Sequence, residues 1–280
     1  MYGSKTHRII SRKTISIIIP TLNEEKGIAK VIDEIPINDL GKMGYECEVV
    51  VVDGGSKDHT REIAVSKGAR VVIESRPGYG RAYKTGFTYA RGDILATLDG
   101  DFSYPAFLIP RLVENLEEKN LDFVSTNRME NCARESFPAL HILGNRVLTS
   151  FATLLFRIRL EDSQSGMWIF RRSMLDQINP NSNGMAFSEE IKVLAFKFFR
   201  TIEVDVPYRK RLGKQKLRTI LDGVQNMSRL FALRLSFVGF RPLSPVLLAN
   251  LETVRRIKLA AKPNRRSIVP NYLLSKNMVV

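Results

Sequence analysis

The chain has 280 residues, 44% of them hydrophobic, and 43 Lys/Arg against 29 Asp/Glu leave it at +14. It is long and apolar enough to bury the core of one large domain, or of a domain with an extension, and no stretch of about 18 uninterrupted apolar residues is present to cross a bilayer. Its two cysteines, Cys47 and Cys132, form no C-x-x-C pair, which excludes a disulfide-stapled scaffold and fits a reducing compartment.

The basic N-terminus runs into Ile15-Ser16-Ile17-Ile18-Ile19, so a strand over Thr14–Pro20 is expected there rather than a signal peptide. Ile28, Val31, Ile32 and Ile35 have helical spacing and predict a helix over Glu24–Ile35. Cys47–Asp53 is a second strand, closed by Gly54-Gly55-Ser56. Asp58 then suits the cap of a helix running to Lys67. Arg70–Glu74 reads as a strand, Gly80–Ala90 as a helix and Asp93–Leu98 as a strand. Such alternation, with near-continuous Val/Ile strands, predicts a parallel sheet covered by helices on both faces. Beyond it, helices are expected over Pro105–Glu118, His141–Phe156 and Ser188–Phe199, and strands over Asp122–Thr126, Gly166–Phe170 and Ile202–Pro207. Lys216–Leu235 repeats apolar residues at Leu217, Ile220, Leu221, Val224, Met227, Leu230 and Phe231 with basic residues between them. The last forty residues, with Pro242, Pro245, Pro263 and Pro270, are expected to be loosely organised.

Charge is placed unevenly. Residues 1–195 hold 25 Lys/Arg and 25 Asp/Glu, whereas residues 196–280 hold 18 and 4. Such asymmetry suits an anionic membrane surface, a phosphorylated lipid or nucleic acid, or else a solvated basic tail. Nucleic acid is disfavoured, because no binding motif is recognisable and the basic residues lack interleaved aromatics. His7, His59 and His141 are too scattered for a zinc centre.

Asp99-Gly100-Asp101 follows the apolar run Ile94–Leu98. It is either a polar turn or a pair of hard oxygen ligands at the carboxyl end of a strand, where open α/β sheets bind ligands. Gly78-Tyr79-Gly80-Arg81-Ala82-Tyr83 lacks the third glycine of a dinucleotide fingerprint, and no Walker A sequence occurs.

Six short motifs stand in order along residues 13–218: Pro20-Thr21-Leu22-Asn23-Glu24, Asp53-Gly54-Gly55-Ser56-Lys57-Asp58-His59-Thr60, Arg76–Ala82, Asp99-Gly100-Asp101, Asp162-Ser163-Gln164-Ser165-Gly166 and Arg211–Leu217. Together the chain resembles the family 2 glycosyltransferases, and within them the dolichol-phosphate mannosyltransferase-like branch. The resemblance implies a nucleotide-binding glycosyltransferase A-type α/β fold: a mostly parallel sheet flanked by helices, with a catalytic domain over residues 1–215 and a basic helical extension over 216–280. It implies inverting, metal-dependent transfer of a hexose from a GDP- or UDP-sugar to a polyprenyl (dolichyl-type) phosphate. Residue by residue, Asp99, Asp101 and Ser103 would hold Mg²⁺ or Mn²⁺. Pro20, Leu22, Glu24, Asp53, Gly80 and Gly100 would shape the donor pocket, and Arg128, Arg146 and Arg211 would face the diphosphate or the acceptor phosphate. Two positions depart from the pattern: Gly54 stands where many relatives have Asp, and Ser103 where the branch often has Gln.

The acceptor class separates two mechanisms. A sugar hydroxyl needs a general base, for which Glu189 or Glu190 is the candidate. A lipid phosphate is already an anion and needs cationic guidance instead. The basic, amphipathic Lys216–Leu235 segment suits an interfacial helix or an ordinary core-packing one. The expectation is a peripheral enzyme at the cytoplasmic face of a membrane.

Overall fold

A computed structural model describes residues 13–129, 139–213 and 219–236. Seven strands, β1 (Lys13–Thr21), β2 (Tyr45–Asp53), β3 (Arg70–Ile73), β4 (Ile94–Thr97), β5 (Phe123–Asn127), β6 (Trp168–Arg171) and β7 (Thr201–Asp205), form one sheet in the order β3-β2-β1-β4-β6-β5-β7. The helices are α1 (Ile28–Asp33), α2 (Ile37–Lys42), α3 (Thr60–Ser66), α4 (Tyr79–Tyr89), α5 (Ile109–Glu118), α6 (Ala139–Phe156), α7 (Ala186–Phe198) and α8 (Thr219–Ser236).

The β-branched runs of β1 and β2 are buried, and parallel pairing aligns Ile17 with Val49 and Thr21 with Asp53. Both strands therefore release their chains at one edge, and β4 lies parallel on the other side of β1. The crevice between the ends of β1 and β4 is the point where strand order reverses. β6 differs from the parallel expectation, pairing antiparallel with both β4 and β5. The reason is its connection. α6 packs mainly on α7 and α8 rather than across the sheet, so the chain re-enters from the edge it left. That return brings residues 162–166 to the carboxyl ends of β4 and β5.

The core between α4, α7 and the sheet joins Ile18, Val50, Val52 and Leu95 to Tyr83, Phe87, Trp168 and Phe187. Gly80 serves this packing: a Cβ there would lie 2.4 Å from the Cβ of Phe187 and 2.8 Å from the Ser182 carbonyl. α8 begins beyond the expected boundary at residue 215, yet Leu230 and Leu233 pack with Ala152, Phe156, Val193 and Leu194 of α6 and α7. Phe231 contributes its ring to Phe151 of α6 at 4.9 Å and remains half exposed. Leu217, Cys132, the 130–138 loop and the proline-bearing stretch after 236 lie outside the described residues.

Candidate active site

The first wall of the crevice is a pair of interlocked turns. Asn23 stands at φ 51°; its amide donates to Ser56 Oγ and its side-chain oxygen accepts from the Lys57 amide. The Glu24 amide donates to Thr60 Oγ1. These bonds explain why α1 starts at Ile28 and not at Glu24. Asp53 is fully buried; its Oδ2 accepts from the amides of Gly55 and Ser56, and Arg61 stands 3.8 Å away. Its Oδ1 has no hydrogen-bond partner among the described residues. Pro20, next to last in β1, lies opposite Val52, and Leu22, 41% exposed, stands at the lip beside Gly54.

The second wall is the acidic loop after β4. Gly100 lets it press against β1, since a Cβ there would meet Thr21 Cγ2 at 2.8 Å and Glu24 Cγ at 3.3 Å. Asp101 is buried; its Oδ1 accepts from the amide and hydroxyl of Ser103, and its Oδ2 pairs with Arg211 Nη2 at 2.9 Å. Arg211 also lies 4.0 Å from Glu24. Asp99 accepts a bond from Tyr79 Oη at 3.1 Å. Burial, and then the neighbouring Asp101 charge, push the Asp99 carboxyl up to about 7. Gly166 sits against Asp99, within 3.0 Å of both oxygens for any Cβ placed there. Tyr79 was not singled out in the sequence; nothing in its spacing marks it as the partner of a carboxylate twenty residues away.

Two carboxylates and a hydroxyl are hard donors and suit Mg²⁺ or Mn²⁺, which typically use one or two protein carboxylates plus substrate phosphates. No cluster of three or more His, Cys, Asp or Glu with metal-binding geometry occurs among the described residues. The raised Asp99 carboxyl fits the same donor set, because a divalent charge would relieve the repulsion between the two aspartates.

The arginines divide. Arg211 faces the acidic loop. Arg128 is buried and held bidentately by Asp162, at 2.6 and 2.9 Å, with Tyr208 and Tyr104 packed on its guanidinium. Burial opposes its charge, but the Asp162 carboxylate, with Tyr104 and Tyr208, together raises the guanidinium above its ordinary value. Arg146 is exposed on α6 and lines an open groove of about 630 Å³ with Thr149, Ser150, Arg157 and Glu161; no described contact joins it to Asp99 or Asp101.

The two glutamates also differ. Glu190 accepts from the amides of Asn181 and Ser182 and lies 3.6 Å from Arg229, so it holds a loop. Glu189 is 1% exposed, and neither carboxylate oxygen has a hydrogen-bond partner among the described residues. Burial pushes it up to about 8, against smaller opposing effects of Ser163, Lys192 and Gln164. A carboxyl that stays protonated in the fold and ionises when unfolded gives stability that is full below its unfolded value, near 4.3, and is lost as pH rises toward 8. Glu189→Gln should flatten that decline, raising stability at pH 8 by more than about 1 kcal/mol relative to pH 5. Urea unfolding at the two pH values measures it; parallel wild-type and variant profiles would contradict the buried-acid assignment.

Comparison with known proteins places these features in a lineage. Residues 16–178 match the family model described as glycosyl transferase family 2. The chain is 36% identical over 213 residues to the low-salt glycan biosynthesis hexosyltransferase Agl6 of Haloferax volcanii, covering 75% of this chain and only about half, 51%, of that protein. It is 32% identical to the dolichyl-phosphate hexose transferase of the same organism, over 75% of this chain and 89% of that one. Among solved structures, glucosyl-3-phosphoglycerate synthase from Mycobacterium tuberculosis, in complex with Mn²⁺, UDP-glucose and glycerol 3-phosphate, aligns with a TM-score of 0.60 at 27% identity, over 82% of this chain and 81% of that one.

Proposed function

The chain belongs to glycosyl transferase family 2, and from that premise we propose that it transfers a hexose, with inversion, from a nucleoside-diphosphate sugar to a polyprenyl (dolichyl-type) phosphate. The observation that carries this reading is the acidic loop at the β1/β4 crevice, where half-buried Asp99 stands two residues from buried Asp101 and Arg211 pairs with Asp101. Asp99, Asp101 and Ser103 would hold Mg²⁺ or Mn²⁺, whose charge offsets the negative charge that grows on a departing diphosphate. Arg211 supplies a second positive charge at the same place. The interlocked turns around Asn23 and Ser56 fix the wall where the nucleoside lies.

The acceptor class is supported by the glutamates. Glu190 is engaged with backbone amides, and Glu189 is sealed from solvent, so neither stands ready to deprotonate a sugar hydroxyl. A phosphate anion needs no such base. The dolichyl-phosphate hexose transferase relative agrees with that choice. The donor is a GDP- or UDP-sugar, and the UDP-glucose complex of the structural relative supports the second. No described helix is long and apolar enough to cross a membrane. We place the protein peripherally at the cytoplasmic face, held by the basic residues beyond Arg211.

A panel of GDP- and UDP-hexoses, each with polyprenyl phosphate and Mn²⁺ or Mg²⁺, tests the reading. One donor should give a chelator-sensitive, monoglycosylated polyprenyl phosphate. Transfer to sugar hydroxyls with none to polyprenyl phosphate would overturn the acceptor assignment.

A further inference from the structure

We propose that Arg209 is a positioning residue for the acidic loop: anchored by Glu34, it holds Phe102 in the left-handed conformation that sets Asp101 and Ser103 for a divalent cation. The inference rests on the metal role proposed for Asp101 and adds a device that none of the six motifs contains.

Phe102 lies between Asp101 and Ser103 with φ 65°. A bulky side chain avoids that region because its Cβ crowds the following carbonyl, so the surrounding structure must hold it there. Here the turn lets Ser103 fold back, so that its amide and hydroxyl both reach Asp101 Oδ1. In an ordinary right-handed conformation Ser103 would swing away and the carboxylate would lose its bearing.

The restraint comes from the segment after β7. The Arg209 amide donates to the Ser103 carbonyl and the Leu212 amide to the Asp101 carbonyl, bracketing Phe102 on both sides. The Arg209 guanidinium lies 4.5 Å from the centre of the Phe102 ring and 5.7 Å from that of Phe107. It is itself fixed by a bidentate pair with Glu34, at 2.7 and 3.1 Å. Glu34 also accepts from the Ala106 amide at 2.8 Å, tying the far end of the loop to the same carboxylate. Lys30 adds a second cation 5.9 Å from the Phe102 ring. A planar fork that pairs with a carboxylate along its edge while covering a ring with its face is a task for Arg and not for Lys.

The test is a double-mutant cycle in the full chain, read by binding of Mn²⁺ alone (loss of the free-ion EPR signal) and by the Mn²⁺ concentration that half-saturates transfer. Arg209→Met should weaken Mn²⁺ binding by about five- to thirtyfold, the range expected when a left-handed residue loses its restraint. Glycine adopts positive φ without that penalty. In a Phe102→Gly background, the same Arg209→Met change should therefore cost less than about twofold. Arg209→Lys, which keeps a cation but not the fork, should fall between wild type and Met, and it provides the reading if the Met variant fails to fold. Equal losses in the two backgrounds, or wild-type Mn²⁺ affinity in Arg209→Met, would overturn the proposal. Asp101→Ala runs alongside: if it abolishes Mn²⁺ binding while Arg209→Met does not, only the positioning role fails, and if it binds Mn²⁺ as wild type, the metal reading fails first.

Discussion

Asp101→Asn is expected to lower kcat by about a hundred- to a thousandfold, the usual cost of removing one preorganised electrostatic contact to a developing charge. The replacement is nearly isosteric, and its remaining oxygen still accepts from Ser103, so folding should survive. What disappears is the charge that pairs with Arg211 at 2.9 Å and that would hold the ion. Saturating donor and polyprenyl phosphate, with near-ultraviolet circular dichroism to check the fold, measure the effect. Wild-type turnover in Asp101→Asn, or full turnover in excess chelator, would remove the acidic loop from the mechanism.

Asp162→Ala should act mainly on stability. Its carboxylate, wholly buried, accepts from Arg128, Asn145 and the Gln164 amide, and its loss strands a buried guanidinium. Breaking one side of such a pair typically costs about 3–5 kcal/mol. Urea unfolding at neutral pH measures it, and a loss under about 1 kcal/mol would show that the pair is not carrying the loop. Burial raises the Asp162 carboxyl more than any one neighbour lowers it, but the charge and hydrogen bonds of Arg128 together with Lys192 and Asn145 hold it well below the usual range. Its stabilisation is thus fully present above the unfolded value near 3.9 and fades as pH falls through the depressed folded one. Replacing both partners together, as Asp162→Leu with Arg128→Met, should recover part of the stability, because no charge is left stranded.

Strand and helix positions were legible wherever burial imposed a period. β1 and β2 carry the apolar runs Ile17-Ile18-Ile19 and Val49-Val50-Val51-Val52, β4 is buried throughout, and α1 and α5 bury the residues their spacing indicates. The end of the apolar run at Leu98 placed the acidic loop, though Asp-Gly-Asp by itself fits a polar turn as well as a pair of ligands. Properties set by distant partners were not. The direction of β6 depends on where α6 packs, and the commitment of Arg128 depends on a carboxylate 34 residues away. Gly80 looked like a place for close approach of a ligand, and what approaches is Phe187. Glu189 and Glu190 are adjacent in the chain and alike in composition, yet one holds a loop and the other has no hydrogen-bond partner among the described residues.

The bracket from residues 209–212 onto residues 101–103 also bears on how the molecule comes into being. Glu34 and Arg209 stand 175 positions apart, a separation whose closure is entropically expensive and slow to find. During synthesis the first strands and the acidic loop leave the ribosome long before their clasp. A nascent chain that has reached Asp205 already possesses every strand of the sheet, but it still lacks the Arg209–Leu212 clasp over residues 101–103. Chemical competence therefore arrives with the segment after β7 rather than with the first half of the fold that carries the acidic motif.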